Sequence, residues 1–587
     1  MERWVVTNKK ADFYGIGAKY GIDPVTARLI RNRDVIEDEE IQKYLYGDTE
    51  DLYSPHLMKD LDKAADILVK KIRNQKRIRI ISDYDVDGVV SNYILYKGLS
   101  NCGAMVDYRI PDRITDGYGI NERLIDQAWQ DGIDTILTCD NGIAAYDQIR
   151  YGKELGMTVI VTDHHDVPFE ETEGQKQYRV PPADAVVNPK QADCEYPFPL
   201  LCGAVVALKL ITVVYERFHK PKDSWKEFLE FAAIATVCDV VSLTDENRIL
   251  VRAGLKKMSV TEHTGLQALI SVTGLEGKKI SSYHLGFIIG PCINASGRLK
   301  SAKMALEVLL CEERDKALRL AQELKELNEE RKDMTLEGLN QAIEMVEKGG
   351  YEEDKVLVLY LKDCHESLAG IIAGRVREKY HKPVFVLTDG EEGFLKGSGR
   401  SIEAYSMFEE MSRVKELMTK FGGHPMAAGL TLPKENLSCF HDRLNELSTL
   451  TKEDFYEKVT IDVPMPIHYI SEKLVSELSL LEPFGSGNPK PLFAQKNLNL
   501  LGARILGARR NVLKLRVSDE NGYEMDAIFF GNIDDFNQYL SSHFGKNEVE
   551  CMYQGRKNSI RMSFTYYPDV NEFRGVKTLQ LVIQNYQ

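Results

Sequence analysis

At 587 residues the chain is well past the roughly 250–300 at which a single core stops growing, so three or four domains are expected. Its composition, 43% hydrophobic and 28% charged, is that of an ordinary globular protein, and no run approaches the ~18 apolar residues of a membrane helix. A net charge of −14 argues against non-specific coating of a duplex, but leaves room for a polynucleotide in a locally basic groove. The start, Met-Glu-Arg-Trp, has no basic region followed by an apolar core, so no secretory signal is expected. The cysteines are scattered with no CxxC pair, which points to a reduced, cytoplasmic protein without a structural zinc site.

Residues 1–55 carry no clear pattern. From about 56 to 245 helical and strand-like stretches alternate: helix over 61–73, strand over 78–81, helix over 89–99, strand over 105–110. A strand ending at Asp140, a helix over 144–155 and a strand ending at Asp163 continue the series, which predicts a largely parallel sheet with right-handed crossovers. Residues 204–218 and 225–237 read as two more helices, so Asp239 follows either a strand or a helix. Residues 312–348 predict one long exposed connecting helix whose charges form a solvated face. A second α/β unit follows, with strand 356–361, helix 368–379, strand 384–388 and a Gly-rich stretch. After about 455 come short strands at 498–506, 512–517, 524–530, 548–553, 561–567 and 578–583, with one helix at 533–544. That set predicts a small, partly open barrel of the OB type, a common binder of single strands.

The chemistry concentrates where apolar runs end. Residues 77–82 (RIRIIS) lead into Asp83-Tyr-Asp85-Val-Asp87-Gly88, 134–139 (DTILTC) into Asp140, and 158–162 (TVIVT) into Asp163-His164-His165; 231–238 lead into Asp239. Open α/β sheets bind ligands beyond the carboxyl ends of their strands, so these loops are expected to meet in one crevice. Alternate Asp side chains point the same way if the segment stays extended, and like charges so close call for a cation. An EF-hand starting at Asp83 would need Glu at its twelfth place, where Ile94 stands. Carboxylates mixed with imidazole suit Mn²⁺ or Mg²⁺, and a pair of such ions is the usual device for phosphoester hydrolysis.

The order DYDVDG, TCDNG (138–142), DHH, TVCDVV (236–241) resembles the DHH phosphoesterase superfamily, and in detail its RecJ family of single-strand-specific 5′→3′ DNA exonucleases. Similar segments continue as DGYGIN (116–121), LCGA (201–204), NASGR (294–298), LNEER (327–331), residues 365–375, GSGRS (397–401), GGHPMAAG (422–429) and EPFGSGNP (482–489). The resemblance spans roughly residues 55–585. It implies two α/β lobes, a parallel-sheet DHH domain and a DHH-associated domain, joined by a long helix and followed by an OB-like β-barrel. The expected division is an N-terminal segment (1–55), phosphoesterase domain (56–250), helical connector (251–350), DHH-associated domain (351–452) and OB domain (453–587).

Carried over by motif, the resemblance makes Asp83, Asp85, Asp87, Asp140, His164 and Asp239 the metal ligands for two Mn²⁺ or Mg²⁺ ions, with Asp140 bridging. His165 becomes their partner, and Asp140, His164 and His165 the catalytic set. Arg298, Ser398 and Arg400 match positions that hold the 5′-terminal phosphate, and Arg presents a planar donor fork suited to it. His424 lies in the segment that folds over the cleft, and Arg109 is a further phosphate candidate. In the barrel region Arg504, Arg509, Arg510, Lys514, Arg556, Lys557 and Arg561 lie near Phe529, Phe530 and Tyr553, a basic and aromatic mixture suited to single strands. The chain departs from the family pattern at Ile81, where many DHH enzymes carry His, and at Cys238, Cys364 and Ser367; none of these is a proposed ligand.

The function so implied is 5′→3′ hydrolysis of single-stranded DNA to mononucleotides in recombination and repair. A helicase and a single-strand-binding protein are the expected partners of a monomer that needs no membrane. One rival is a DHH enzyme for very short oligonucleotides or cyclic dinucleotides, which has no use for the long connector and barrel. Another is a non-catalytic scaffold, which has no use for repelling carboxylates.

Overall fold

Strands buried on both faces are rich in apolar residues, and the central strands of the first sheet are of that kind, whereas its edge strand Met105–Arg109 is half-exposed. The sheet's strands are β1 (Arg77–Ser82), β2 (Met105–Arg109), β3 (Thr135–Cys139), β4 (Thr158–Thr162) and β5 (Ala185–Val187). In the computed structural model all pair in parallel, in the order β2-β1-β3-β4-β5. Ile78, Ile80, Leu137 and Ile160 enter one core with helices α1 (Leu61–Arg73), α2 (Val86–Ser100), α3 (Gly203–Arg217) and α4 (Leu229–Cys238). Ile81, Ile136, Val159 and Val161 face the opposite core, so successive residues serve the two sides of the sheet. The register sets Ser82 opposite Cys139, Cys139 opposite Thr162, and Thr162 opposite Val187. The residues that follow, Asp83, Asp140, Asp163 and Asn188, therefore line up along one edge. The strand order reverses between β1 and β3, and that switch point is where an open sheet leaves a crevice.

The structure describes residues 2–113, 116–117, 119–172, 175–507, 510–573 and 575–587. It divides into two compact units: residues 52–457, and residues 2–51 together with 458–587. In the first unit a helical run ending in α5 (Gly290–Leu299) leads by a short helix to α6 (Arg314–Lys348), the long helix expected from composition. A second sheet follows: β6 (Leu357–Tyr360), β7 (Val384–Asp389), β8 (Phe394–Arg400), β9 (Lys420–His424) and β10 (Ala427–Pro433), ordered β9-β10-β8-β7-β6. Only β6 and β7 are parallel, and α7 (Glu366–Tyr380) crosses between them. Asp239 follows a helix, α4, not a strand.

In the second unit β11 (Phe493–Leu506), β12 (Val512–Ser518), β13 (Glu524–Phe529), β14 (Arg561–Phe573) and β15 (Val576–Tyr586) close into a five-stranded barrel by pairing β11 with β14. Residues 548–553, expected as a strand, are helical (Lys546–Tyr553), because Val549 and Met552, one turn apart, are the pair that enters the core. Three N-terminal helices, Phe13–Tyr20, Pro24–Asn32 and Asp38–Tyr46, share the barrel's hydrophobic core, and Asp23 N donates to Glu477 Oε2 at 2.7 Å. Phe529 is a core residue packed on Phe536 and Tyr586, whereas Phe530 is exposed. Tyr553 is half-buried and donates to Asn537. Lys514 is paired with Asp526 at 2.7 Å; Arg504, Arg510, Arg556, Lys557 and Arg561 are exposed; Arg509 and Tyr118 lie outside the described residues.

Candidate metal centre

The loop after β1 does not stay extended. It turns into α2 at Asp85, whose side chain caps the helix by accepting from Gly88 N at 3.0 Å. A Cβ on Gly88 would collide with the Asp83 carbonyl, so the tight turn requires glycine there. Asp87 consequently sits in the first helical turn, fully buried, and accepts from Gly203 N at 2.6 Å and Ala204 N at 2.8 Å. Those amides open α3, whose positive end favours a carboxylate. A Cβ on Gly203 would lie 2.8 Å from Asp140 Cβ, which explains why the LCGA segment passes its backbone between two acids.

Asp140 leaves β3 in the left-handed region, φ 59°, an uncommon and strained state for a non-glycine residue. Its neighbour Asn141 holds it there by donating to Ile81 O at 3.0 Å and Cys139 O at 2.9 Å. After β4, Asp163 accepts from Ile143 N, His164 N, His165 N and His165 Nδ1, at 2.8–3.1 Å. Asn188, at the end of β5, donates to His165 O at 2.9 Å. Asp163 fixes the His165 imidazole and the backbone of both histidines, and Asn188 holds the His165 carbonyl, a role that a count of acids and histidines in the sequence does not disclose.

The side chains so placed converge. His164 Nε2 lies 3.2 Å from Asp140 Oδ1 and 3.6 Å from both Asp87 Oδ2 and Asp239 Oδ2. Three sets offer ligand atoms within 4.8 Å of one another: Asp83, Asp85 and Asp140; Asp87, His164 and Asp239; Asp140, His164 and His165. Among the described residues Asp83 Oδ1, His164 Nε2 and Asp239 Oδ2 are buried polar atoms without a hydrogen-bond partner. An unsatisfied buried polar atom costs about 1–3 kcal/mol, and three at one spot fit a divalent cation that takes hard oxygens and one imidazole. Electrostatics agrees. Burial, then repulsion from Asp87 and Asp85, pushes Asp239 up to about 9; burial and neighbouring acids also raise Asp83, Asp87 and Asp140. Burial lowers His164; for His165 burial also pulls down, but the bond to Asp163 together with the negative charges of Asp163, Asp239 and Asp87 outweighs it and raises the imidazole to about 9.

Beside the acids lies a cationic group. Arg298, in the last turn of α5, donates to Ser367 O at 2.8 Å, and Ser367 Oγ returns a bond to Arg298 O at 3.3 Å. Arg400, at the end of β8, donates to Ser398 Oγ at 3.1 Å and Gly399 O at 2.7 Å. Arg113, which the motifs did not single out, stands over the Tyr84 ring at 5.1 Å and acts on both Arg298 and Arg400. Burial, then Arg113 and Arg331, brings Arg298 down to about 10; burial, then Arg377 and Arg113, lowers Arg400. Among the described residues no salt bridge joins Arg113, Arg298 or Arg400 to a carboxylate, although Asp85 acts on Arg298, so their charge is available to an anion. Arg109 is placed differently: it is exposed on edge strand β2, donates to Tyr108 O, and acts on Asp131. His424 is exposed on edge strand β9 and acts on Asp166, next to His165.

Comparison with known proteins places these features in sequence order. Residues 77–236 match the DHH family N-terminal domain, residues 353–449 the DHHA1 domain, and residues 461–585 the RecJ OB domain. The chain is 34% identical over 587 residues to the single-stranded-DNA-specific exonuclease RecJ of Bacillus subtilis, covering 99% of this chain and 70% of that one. It is 32% identical over 585 residues to the enzyme of the same name from Escherichia coli, covering 96% of each. The crystal structure of RecJ in complex with Mn²⁺ from Thermus thermophilus superposes with a TM-score of 0.81 at 27% identity, covering 100% of this chain and 79% of that one. A crystal structure of exonuclease RecJ bound to manganese gives 0.58 at 32% identity, covering 68% and 96%.

Proposed function

The chain belongs to the RecJ family of single-stranded-DNA-specific exonucleases, and we propose that it removes mononucleotides from a 5′ end with two divalent cations bound. The observation that carries this is the meeting of Asp83, Asp85, Asp87, Asp140 and His164, from loops after register-aligned strands, with Asp239 at the end of helix α4, and with buried atoms left for an ion. Asp83, Asp85 and Asp140 would hold one Mn²⁺ or Mg²⁺; Asp87, His164 and Asp239 would hold the other, with Asp140 shared. When bound, such ions activate water at neutral pH and offset the charge gathering on the phosphate.

The chain's own residues do the rest. Arg298, Arg400 and Arg113, with Ser398, receive the terminal phosphate, so an end is read and not a sequence. Asp163 keeps His165 charged and aimed, which makes its other ring nitrogen a donor to a phosphate oxygen. The cleft between the two α/β lobes, residues 56–250 and 351–452, admits one strand and is too narrow for a duplex. Residues 453–587 supply a basic, sequence-tolerant surface for the strand. The enzyme acts in the cytoplasm as a monomer, on strands that a helicase opens and a single-strand-binding protein holds.

The test is digestion of end-labelled single-stranded DNA with and without Mn²⁺. Mononucleotides released from the 5′ end are expected, and Asp140→Asn is expected to cut the rate by on the order of 10³-fold or more while DNA binding persists. Release from the 3′ end, or an active Asp140→Asn, would remove the proposal.

A further inference from the structure

One feature of the first unit is not used by the metal centre. Tyr283 and Phe287 are 61% and 67% exposed, yet their rings stack on each other, 5.0 Å apart and 25° from parallel. They lie on the helical run that ends in α5, and Leu285–Ile289 within it is a π-turn, a distortion common at functional sites. The wider turn leaves Phe287 outward while Leu285 and Ile289 stay in the core. A soluble surface rarely spends two adjacent aromatics on water without a ligand for them.

The run gives the pair a position relative to the chemistry. At its far end Arg298 belongs to the anion site, and a Cβ on Gly297 would stand 2.6 Å from Tyr84 O, in the first acidic loop. At its middle a Cβ on Gly290 would collide with Cys238 Sγ, which itself donates to Leu285 O at 3.5 Å. Cys238 immediately precedes Asp239. The order along one helix is therefore anion site, metal-ligand loop, aromatic pair. Phe287 is eleven residues from Arg298, about 16 Å at the usual ~1.5 Å rise.

We propose that Tyr283 and Phe287 form a stacking platform for bases of the substrate strand on the 3′ side of the bond being cut. This rests on the reading above, in which the 5′ phosphate sits at Arg298. With that end fixed and the scissile phosphate beside Asp239, the rest of the strand continues toward Phe287. Aromatic faces accept any base, which suits an enzyme without sequence preference. The platform holds the strand in line after each nucleotide leaves.

The test uses the full chain, metal-free in EDTA, and measures binding of two fluorescent 5′-phosphorylated probes: a dinucleotide and a long oligonucleotide. Tyr283→Ala with Phe287→Ala is expected to weaken the long probe roughly ten-fold or more and leave the dinucleotide unchanged. Abasic sites beyond the second nucleotide should weaken wild type similarly and cost the double variant nothing further. Phe287→Trp should bind the long probe as wild type does. Equal loss for both probes, no loss for either, or a full abasic penalty in the double variant would overturn the proposal. So would a change in sedimentation with DNA binding intact, which would assign the pair to a protein contact. A wild-type chain that binds neither probe would overturn the underlying reading, and this platform with it.

Discussion

At the scale of single residues the protein is governed by charges that cannot be left alone. Three buried acids and the half-buried Asp239 face one another, and each is raised by desolvation and by its neighbours. Without metal the folded chain holds protons that the unfolded chain, with ordinary carboxylates, has released above about pH 4. Stability must then fall as pH rises, since the native state binds more protons. His165 acts in the same sense: its folded value of about 9 lies above that of free histidine, so its contribution is lost as pH climbs through 9. The expected outcome is a melting temperature that declines from pH 5 to 9 in EDTA, and a shallower decline with Mn²⁺ in place of the protons. A flat profile in EDTA would contradict the close approach of these acids. The acids and His164 were legible in the sequence because each stands at the end of an apolar run. Asp163, Asn188 and Arg113 were less so: the first two matter for the histidine they hold and the third for standing beside two other arginines, and no spacing rule marks that.

At the scale of elements, most strands and helices of the parallel sheet follow from alternation and length. One reading left open and one missed have physical causes. Residues 231–238 are apolar all round, a pattern shared by a buried strand and a buried helix, and α4 is the helix. Residues 548–553 contain both a two-residue and a three-residue spacing of apolar groups, and the packing of Val549 and Met552 decides for helix. Close approach is the other element-scale effect invisible to periodicity. Gly370, in α7, is where the second lobe's helix meets β8: a Cβ there would lie 2.8 Å from Arg400 Nη2 and 2.9 Å from Ser398 Oγ. If Arg400 receives the 5′ phosphate as proposed, Gly370→Ala is expected to displace it and reduce the resulting preference for a 5′-phosphorylated over a 5′-hydroxyl strand by about ten-fold, the worth of one charge-assisted hydrogen bond. Competition between the two strands in one digestion reads this directly, and an unchanged preference would free Arg400 of that role.

At the scale of the whole molecule, the division into lobes and a barrel was readable from shifts in element type, but the partner of the N-terminus was not. Residues 2–51 look featureless because their apolar positions answer to a surface more than 400 residues away in sequence. Leu29, fully buried, shares a core with Leu481 and Phe493, and Glu477 accepts from both Asp23 N and Thr26 Oγ1. Leu29→Ala is expected to destabilise this unit by about 2–5 kcal/mol, seen as an earlier calorimetric transition, while residues 52–457 melt as before. A shift in the other transition instead would contradict the shared core.

The central claim is that loops from the ends of β1, β3, β4 and α4 build one site for a pair of cations. Anomalous scattering from crystals grown with Mn²⁺ tests it most directly. Two peaks are expected about 3.5–4 Å apart, one against Asp83, Asp85 and Asp140, the other against Asp87, His164 and Asp239. No peak there, or manganese bound elsewhere with these side chains apart, would contradict it.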